Sequence, residues 1–274
     1  MKKSRIFIFI LLCMLAIIFT APVFIILMNS FKTKFSISQT PFMLFYKKTF
    51  VGLENYTTGL ANTGFITAFF MSLFITVFSV LAIVIFTSMT AWYIVREKTK
   101  FTEFLYTLFV FSMIVPFQMV MFTMSKTANI LRLDNPIGIV FIYLGFGAGL
   151  AVFIFSGFVK SIPLGIEEAA TIDGCTPPQT FFKIVFPMMK PTLITVAILN
   201  TMWIWNDYLL PALVIGSDYK TIPIAIQYLK GGYGSIDMGA LMAMLVLAVL
   251  PVIIFYLFCQ KYIIKGVAAG ALKG

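Results

Sequence analysis

The stretch Glu167–Pro191, EEAATIDGCTPPQTFFKIVFPMMKP, gathers acids, prolines, a glycine and helix-start signals into 25 residues of an otherwise oily chain. Its reading decides the fold, because the sequence on either side reads as helix crossing hydrocarbon. Ser161-Ile162-Pro163 offers a polar cap with a proline in the first turn. A short helix is therefore expected over Leu164–Ala170, with Glu167 and Glu168 near its front, where the helix dipole favours acids. Asp173-Gly174 breaks it, the glycine supplying the positive φ that ends many helices. Thr176-Pro177-Pro178-Gln179 starts a second helix at once, with threonine as cap, proline in the first turn and glutamine three residues on. Phe181, Phe182, Ile184 and Val185 load that helix with apolar bulk to about Val185, and Pro187 and Pro191 close it. The pair is too short and too charged to span a membrane. An amphipathic loop lying among the headgroups is one reading. Two opposed helices with firm start and stop signals fit the other, a rigid knob for another protein's groove.

The rest of the composition sets the solvent. Of 274 residues, 61% are hydrophobic and 11% charged, far from soluble norms, and the mean hydropathy is +1.01. The excess of 20 Lys+Arg over 10 Asp+Glu is read as span-flanking charge that sets topology, not as a nucleic-acid footprint. With no histidine in the chain, hydrolysis through a histidine base, the HExxH zinc motif and histidine proton relays are excluded. Cys13, Cys175 and Cys259 have no metal-ligand spacing and frame no disulfide scaffold.

Six apolar stretches are long enough to cross about 30 Å of hydrocarbon: Ile6–Met28, Phe65–Val95, Phe104–Ser125, Ile137–Val159, Thr192–Ile215 and Gly239–Gln260. The first follows Lys2, Lys3 and Arg5 like a signal peptide. Its apolar run is too long for one and Thr20-Ala21-Pro22 is a poor cleavage site, so it is read as a retained span. Phe65–Val95 is longer than a span requires, which implies tilt or an interfacial first turn. Asn29–Gly64 reads as a polar connection, Gly216–Met238 as a Gly/Tyr-rich loop with Tyr228, Gly231, Gly232, Tyr233 and Gly234. Gly145 and Gly149 form a GxxxG pair in the fourth span, a weak signal for close helix approach. The expected architecture is an all-α membrane protein, one transmembrane domain over residues 1–274, with a helix–turn–helix over 161–191 between its fourth and fifth spans.

With the amino terminus inside, the inner segments carry 12 of the 20 basic residues and the outer ones 8. The charges closest to span ends agree, so both termini and the 161–191 stretch are expected in the cytoplasm. Asp207 then lies about 22 Å into the fifth span at 1.5 Å per residue, in the outer half. An acid there is costly unless it faces protein or water. It is either an interfacial acid near the outer rim or a path or gate residue grouped with Trp205, Asn206 and Tyr208. Gln118, beside Pro116 in the third span, either lines a path or accompanies a kink.

The residues Glu168-Ala169-Ala170, Gly174, and Ile184 followed by Pro187 resemble the EAA motif of permeases from ATP-binding-cassette importers. The longer run to Pro191 is similar to the carbohydrate branch, the maltose and multiple-sugar kind. Gly52-Leu53-Glu54-Asn55-Tyr56, Trp205-Asn206-Asp207-Tyr208 and the tail from Lys265 to Gly274 resemble the same branch. Cys175 replaces a usual alanine and Phe186 a usual leucine, and neither damages the pattern. The resemblance implies a fold of the type I importer permease and a prokaryotic cell membrane. It implies that Glu167, Glu168, Ala169, Ala170, Asp173, Gly174, Phe182, Ile184 and Pro187 form the coupling surface for a separate ATPase dimer. It also implies a second homologous permease and an extracytoplasmic solute-binding protein. No cofactor is expected on this chain; ATP and Mg belong to the partner ATPase, since the sequence has no GxxxxGK[ST]. The function expected is sugar uptake by alternating access, without catalysis in this subunit. A non-sugar importer permease and a secondary transporter are the alternatives. An intramembrane enzyme fits least, with no histidine and no second buried acid to pair with Asp207.

Overall fold

The computed structural model describes residues 2–216, 218–227, 229 and 237–271, with side-chain environments between residues 5 and 262. Secondary structure among the described residues is helical apart from one antiparallel bridge between Lys32 and Phe50. Two compact units make up the chain. The first combines Met1–Phe69 with Ile222–Ile254, the second Phe70–Thr221 with Phe255–Gly274.

In the first unit, α1 (Lys2–Asn29) passes through Pro22 without ending. The segment read as a polar connection is itself folded. It contains α2 (Lys34–Gln39), capped by the Thr33 hydroxyl, and α3 (Glu54–Thr63), ended by Gly64 in the left-handed region. Asn55 Nδ2 donates to the carbonyls of Ser30 and Lys32 at 2.8 Å each, which pins the start of α3 to the end of α1. Phe31, Phe45, Phe50 and Tyr56 form an aromatic cluster beside this bridge, with ring centroids 5.0–6.2 Å apart. The Thr63 hydroxyl lies 3.9 Å from Met244 Sδ, joining the end of α3 to the long last helix.

The second unit is built on α4 (Phe65–Arg96), α5 (Lys100–Ser112), α6 (Phe117–Ile130), α7 (Gly138–Val159), α8 (Leu164–Ile172), α9 (Pro177–Thr180), α10 (Phe186–Met188), α11 (Lys190–Asn206) and α12 (Leu209–Val214). Its core includes Ile83, Tyr143, Phe155, Phe181, Val185 and Val196. Glycines let the glycine-rich α7 approach its neighbours. A Cβ on Gly147 would stand 2.5 Å from Ile83 Cδ1, and one on Gly149 would stand 2.7 Å from the Phe109 carbonyl. Gly145 faces open space, so the close approach uses Gly147 and Gly149 and not the expected Gly145–Gly149 pair.

Among the described residues, four helices are long and apolar enough to cross a membrane, Arg5–Asn29, Phe65–Arg96, Gly138–Val159 and Met238–Tyr262, and the count reaches six if each of two bent pairs is one span. The expected third span is one of these pairs: α5 and α6 meet at 106°. Pro116 has no N–H to donate and disfavours helical backbone at Val115, so α5 stops short of it. Pro116 itself is extended, with ψ 138°, and α6 starts from it. The last helix, α14 (Met238–Ala271), follows α13 (Ile222–Gln227) and carries the tail in the same helix. Tyr228, Gly231, Gly232, Tyr233, Gly234 and Leu272–Gly274 lie outside the described residues.

Candidate functional site

The acidic hairpin forms much as its capping signals dictate. Pro163 is extended and α8 begins at Leu164, ending with Asp173 as its last cap. The Ser161 hydroxyl donates back to the Phe158 carbonyl at 2.6 Å and does not cap α8. Gly174 has φ +84°. Nothing lies within 4 Å of the place its Cβ would take, so the backbone angle alone demands glycine there. The N–H of Cys175 closes the turn on the Ala170 carbonyl at 2.9 Å. Gln179 Oε1 accepts from the Thr176 N–H at 2.9 Å, with Pro177 in the first turn of α9. The second helix runs further than expected. A π-helical turn over Phe181–Val185 leads into α10, and the chain passes Pro187 before bending 78° into α11. The π turn pairs the Phe186 N–H with the Phe181 carbonyl, a wider hydrogen-bond spacing just ahead of the proline.

The two faces of this hairpin differ. Glu168, Ala169, Asp173, Gly174, Phe182 and Pro187 are exposed, and Ile184 is half-buried. Glu167 and Ala170 are buried, at 7% and 4% exposure. Adjacent glutamates thus differ in burial, because neighbours on a helix lie about 100° apart. Glu167 Oε1 accepts from Arg96 Nη2 at 2.6 Å and Nε at 2.9 Å, and its Oε2 accepts from the Trp92 indole at 2.9 Å. Arg96 Nη2 also donates to the Ile162 carbonyl at 3.0 Å. Trp92 and Arg96 are four residues apart at the end of α4, so both donors leave the same helix face. The Trp92 ring packs 5.4 Å from that of buried Phe181, on the hairpin's second arm. A cavity of about 430 Å³ opens beside the clamp, lined among others by Tyr93, Glu97, Glu168, Cys175 and Thr180. In the sequence Arg96 reads only as a span-end charge, and nothing marks Trp92 as its companion but spacing. The W-x-x-x-R spacing at the close of a span was the available signal.

The second group of candidates sits at the break between α11 and α12, within the expected fifth span. α11 ends at Asn206 and α12 begins at Leu209. Asp207 is extended between them and serves the break: its Oδ1 accepts from the N–H groups of Leu209 at 3.0 Å and Leu210 at 3.3 Å. Its Oδ2 accepts from the Tyr143 hydroxyl at 3.0 Å. Tyr143 is fully buried in α7, its ring edge-on to Trp203 at 5.4 Å. The restarting backbone needs partners for its free N–H groups, and Asp207 supplies them at the break. Trp205 is buried, whereas Asn206 and Tyr208 are exposed on either side of Asp207. Gln118 is exposed in the first turn of α6, just after the Pro116 break. Tyr143 was not read as functional; a lone tyrosine inside a glycine-rich span was its only mark.

These features describe a helical protein, apolar enough along several helices to cross a membrane, with a polar hairpin held to α4 through Glu167. Among the described residues no group of His, Cys, Asp and Glu is placed to hold a metal. Residues 83–269 match the family model described as "Binding-protein-dependent transport system inner membrane component". The chain belongs to that family and is a multi-pass, non-catalytic permease subunit of a transport system that works with an ATPase and a binding protein. It is similar to a probable starch degradation products transport system permease protein, AmyC, of Thermoanaerobacterium thermosulfurigenes, at 42% identity over 94% of this chain and 93% of that protein. It is 36% identical to the multiple sugar-binding transport system permease protein MsmG of Streptococcus mutans, over 81% and 82% of the two chains. In fold it resembles a chain of a bacterial ABC transporter involved in the import of the acidic polysaccharide alginate. That match has a TM-score of 0.79 at 24% identity, over 96% of this chain and 98% of that one.

Losing one partner of a buried, hydrogen-bonded ion pair costs about 3–5 kcal/mol. Arg96→Ala and Glu167→Ala are each expected to lower the midpoint of thermal unfolding in detergent by roughly 5–10 °C. The double variant should fall no further than the worse single one, and additive losses would contradict the clamp. Asp207→Ala strands three donors, each at about 1–3 kcal/mol, so it should destabilise more than Asp207→Asn, which keeps an acceptor oxygen. Equal midpoints for those two variants and the native chain would remove Asp207 from its structural role.

Proposed function

We propose that this chain is a permease subunit of an ATP-driven carbohydrate importer in a prokaryotic cell membrane. Both termini and the α8–α10 hairpin face the cytoplasm, and six spans cross the membrane: the four long helices, the bent α5–α6 pair, and α11 continued by α12. The chain acts as one permease domain. A second homologous permease completes the path, a solute-binding protein delivers solute from outside, and an ATPase dimer using ATP and Mg seats the hairpins. This chain itself binds no cofactor.

The observation that carries the proposal is the two-sided hairpin. Its outer face leaves Glu168, Ala169, Asp173 and Phe182 exposed, and Glu168 makes no ion pair among the described residues. Its inner face is locked onto α4 through Glu167. A knob with a free outer face and a fixed inner one transmits a push. When the ATPase subunits close on nucleotide, the hairpins move with them, and rigid-body rocking of the attached helices opens the path alternately to either side. Glu168 contributes the polar contact to the ATPase, and Gly174 permits the turn that presents it. Ala170 lets α8 lie close to its inner neighbours, and Ile184 and Pro187 shape the second arm. At the span break, Asn206 and Tyr208 are the groups placed to meet a sugar, an amide for hydroxyls and a ring for an apolar sugar face. Asp207 fixes where they stand.

The sugar class rests on the curated relatives named for starch products and multiple sugars. Purification of the tagged chain should bring down an ATPase and a second permease, and the complex should take up labelled oligosaccharides in proteoliposomes. Any L-residue at Gly174 strains the turn by about 1–2 kcal/mol. Gly174→Val is accordingly expected to leave ATP hydrolysis running while uptake per ATP falls. Undiminished uptake in that variant would count against the coupling role, and uptake of amino acids or phosphate in place of sugars would overturn the carbohydrate assignment.

A further inference from the structure

The segment Pro41–Lys48, PFMLFYKK, carries an apolar surface that no other described part of the first unit covers. Phe42, Met43 and Leu44 are 79%, 59% and 66% exposed, and Phe35 on α2 is 70% exposed. Such a run is out of place in a loop facing water alone, where large contiguous apolar patches mark contact surfaces.

Its height relative to the bilayer is fixed by two hydrogen bonds. Asn29 is the final residue of α1, a candidate span, and its Nδ2 donates to the Pro41 carbonyl at 2.9 Å. Lys32, itself buried at 1% exposure, donates from Nζ to the adjoining Thr40 carbonyl at 2.8 Å. The start of the loop is therefore stapled to the end of a membrane-crossing helix, which is where hydrocarbon gives way to headgroups. The far side of the loop is held as well: the Phe45 ring sits on Phe31 and Phe50, and the Thr33 N–H donates to the Thr49 carbonyl at 2.9 Å. Between these ties the apolar side chains of residues 42–44 have only outward directions left.

The charges beside the patch point to its occupant. Lys34, Lys47 and Lys48 are exposed around it, and Glu54 is the single acid in residues 29–64. Apolar and aromatic side chains at interface depth with lysines alongside are the arrangement by which a segment lies in a bilayer surface, and the lysines match anionic headgroups. The same lipid contact is continuous with α1, where Phe24 is 58% and Leu27 41% exposed in the last two turns.

We propose that residues 41–48 form an interfacial anchor that seats Phe42, Met43 and Leu44 in the headgroup–acyl boundary of an anionic bilayer, with Lys47 and Lys48 on lipid phosphates. The anchor fixes the height at which α1 ends, and with it the folded segment from α2 to α3. It does not depend on which solute is carried or on which side of the membrane the segment lies.

The test places a nitroxide at Met43→Cys, and separately at Phe35→Cys, in the full chain lacking Cys13, Cys175 and Cys259. The chain is reconstituted, with the subunits that co-purify, into nanodiscs of phosphatidylethanolamine and phosphatidylglycerol. Power saturation should find both labels more accessible to oxygen than to a water-soluble nickel chelate. Greater access for the chelate places the loop in water and overturns the anchor. Low access to both reagents means a protein covers the patch, a second permease or a binding protein, and overturns it equally. Replacing Lys47 and Lys48 by Gln should raise chelate access in discs containing phosphatidylglycerol. It should leave it unchanged in discs of phosphatidylcholine. An unaltered profile in both compositions overturns the headgroup contact.

Discussion

The carboxylate of Glu167 is the constraint on which the rest of the second unit depends. It sits at the close of three separate lengths of chain: the end of α4, the turn after α7, and the hairpin's own first helix. Arg96 supplies a two-nitrogen fork and Trp92 a third donor, while Arg96 also holds the Ile162 carbonyl. A buried carboxylate is tolerable only when its charge and lone pairs are met this fully. The hairpin is thereby bound to α4 across 71 residues of sequence, in addition to its covalent links to α7 and α11. In the proposed mechanism, a push on its outer face passes to the helices through this clamp.

Elsewhere the helices break at Asp207 and at Pro116. At Asp207 the carboxyl group caps the restarting helix and anchors Tyr143, so an acid deep in an apolar chain meets three hydrogen-bond donors. At Pro116 the ring removes a donor, and the chain turns through 106°. Both breaks fall in segments read as single apolar spans, and both leave polar side chains exposed nearby, Asn206 and Gln118. Breaks that satisfy their own backbone are the form in which irregular structure survives in a bilayer.

Local chemistry was legible in the sequence where a few adjacent residues settle it. Gly174 was assigned a positive φ because Asp173-Gly174 follows a helix, and φ is +84°; Thr176 and Gln179 were paired by their spacing, and they bond. The second arm outran its prediction because a π turn carries the helix through Pro187, which proline rules alone read as a stop. What depends on partners far along the chain was not legible. Glu167 and Glu168 look alike in sequence, and only the positions of Trp92 and Arg96 decide that one turns inward. Glycine spacing named Gly145 and Gly149, whereas the approach is made by Gly147 and Gly149 because helix rotation, not motif, chooses the facing side. The folded segment between α1 and α4 was missed since its ties run through the single side chains of Asn29, Lys32 and Asn55, which carry no periodicity.

The central claim is that the hairpin's outer face is seated on an ATPase while its inner face is clamped to α4. It is tested most directly by a photo-reactive phenylalanine analogue at Ile172, which is 86% exposed at the tip of α8, in cells expressing the whole transporter. The account predicts a cross-link to an ATP-hydrolysing subunit, at a yield that changes when nucleotide is trapped. An active transporter in which Ile172 cross-links only to lipid, or to nothing, would contradict it.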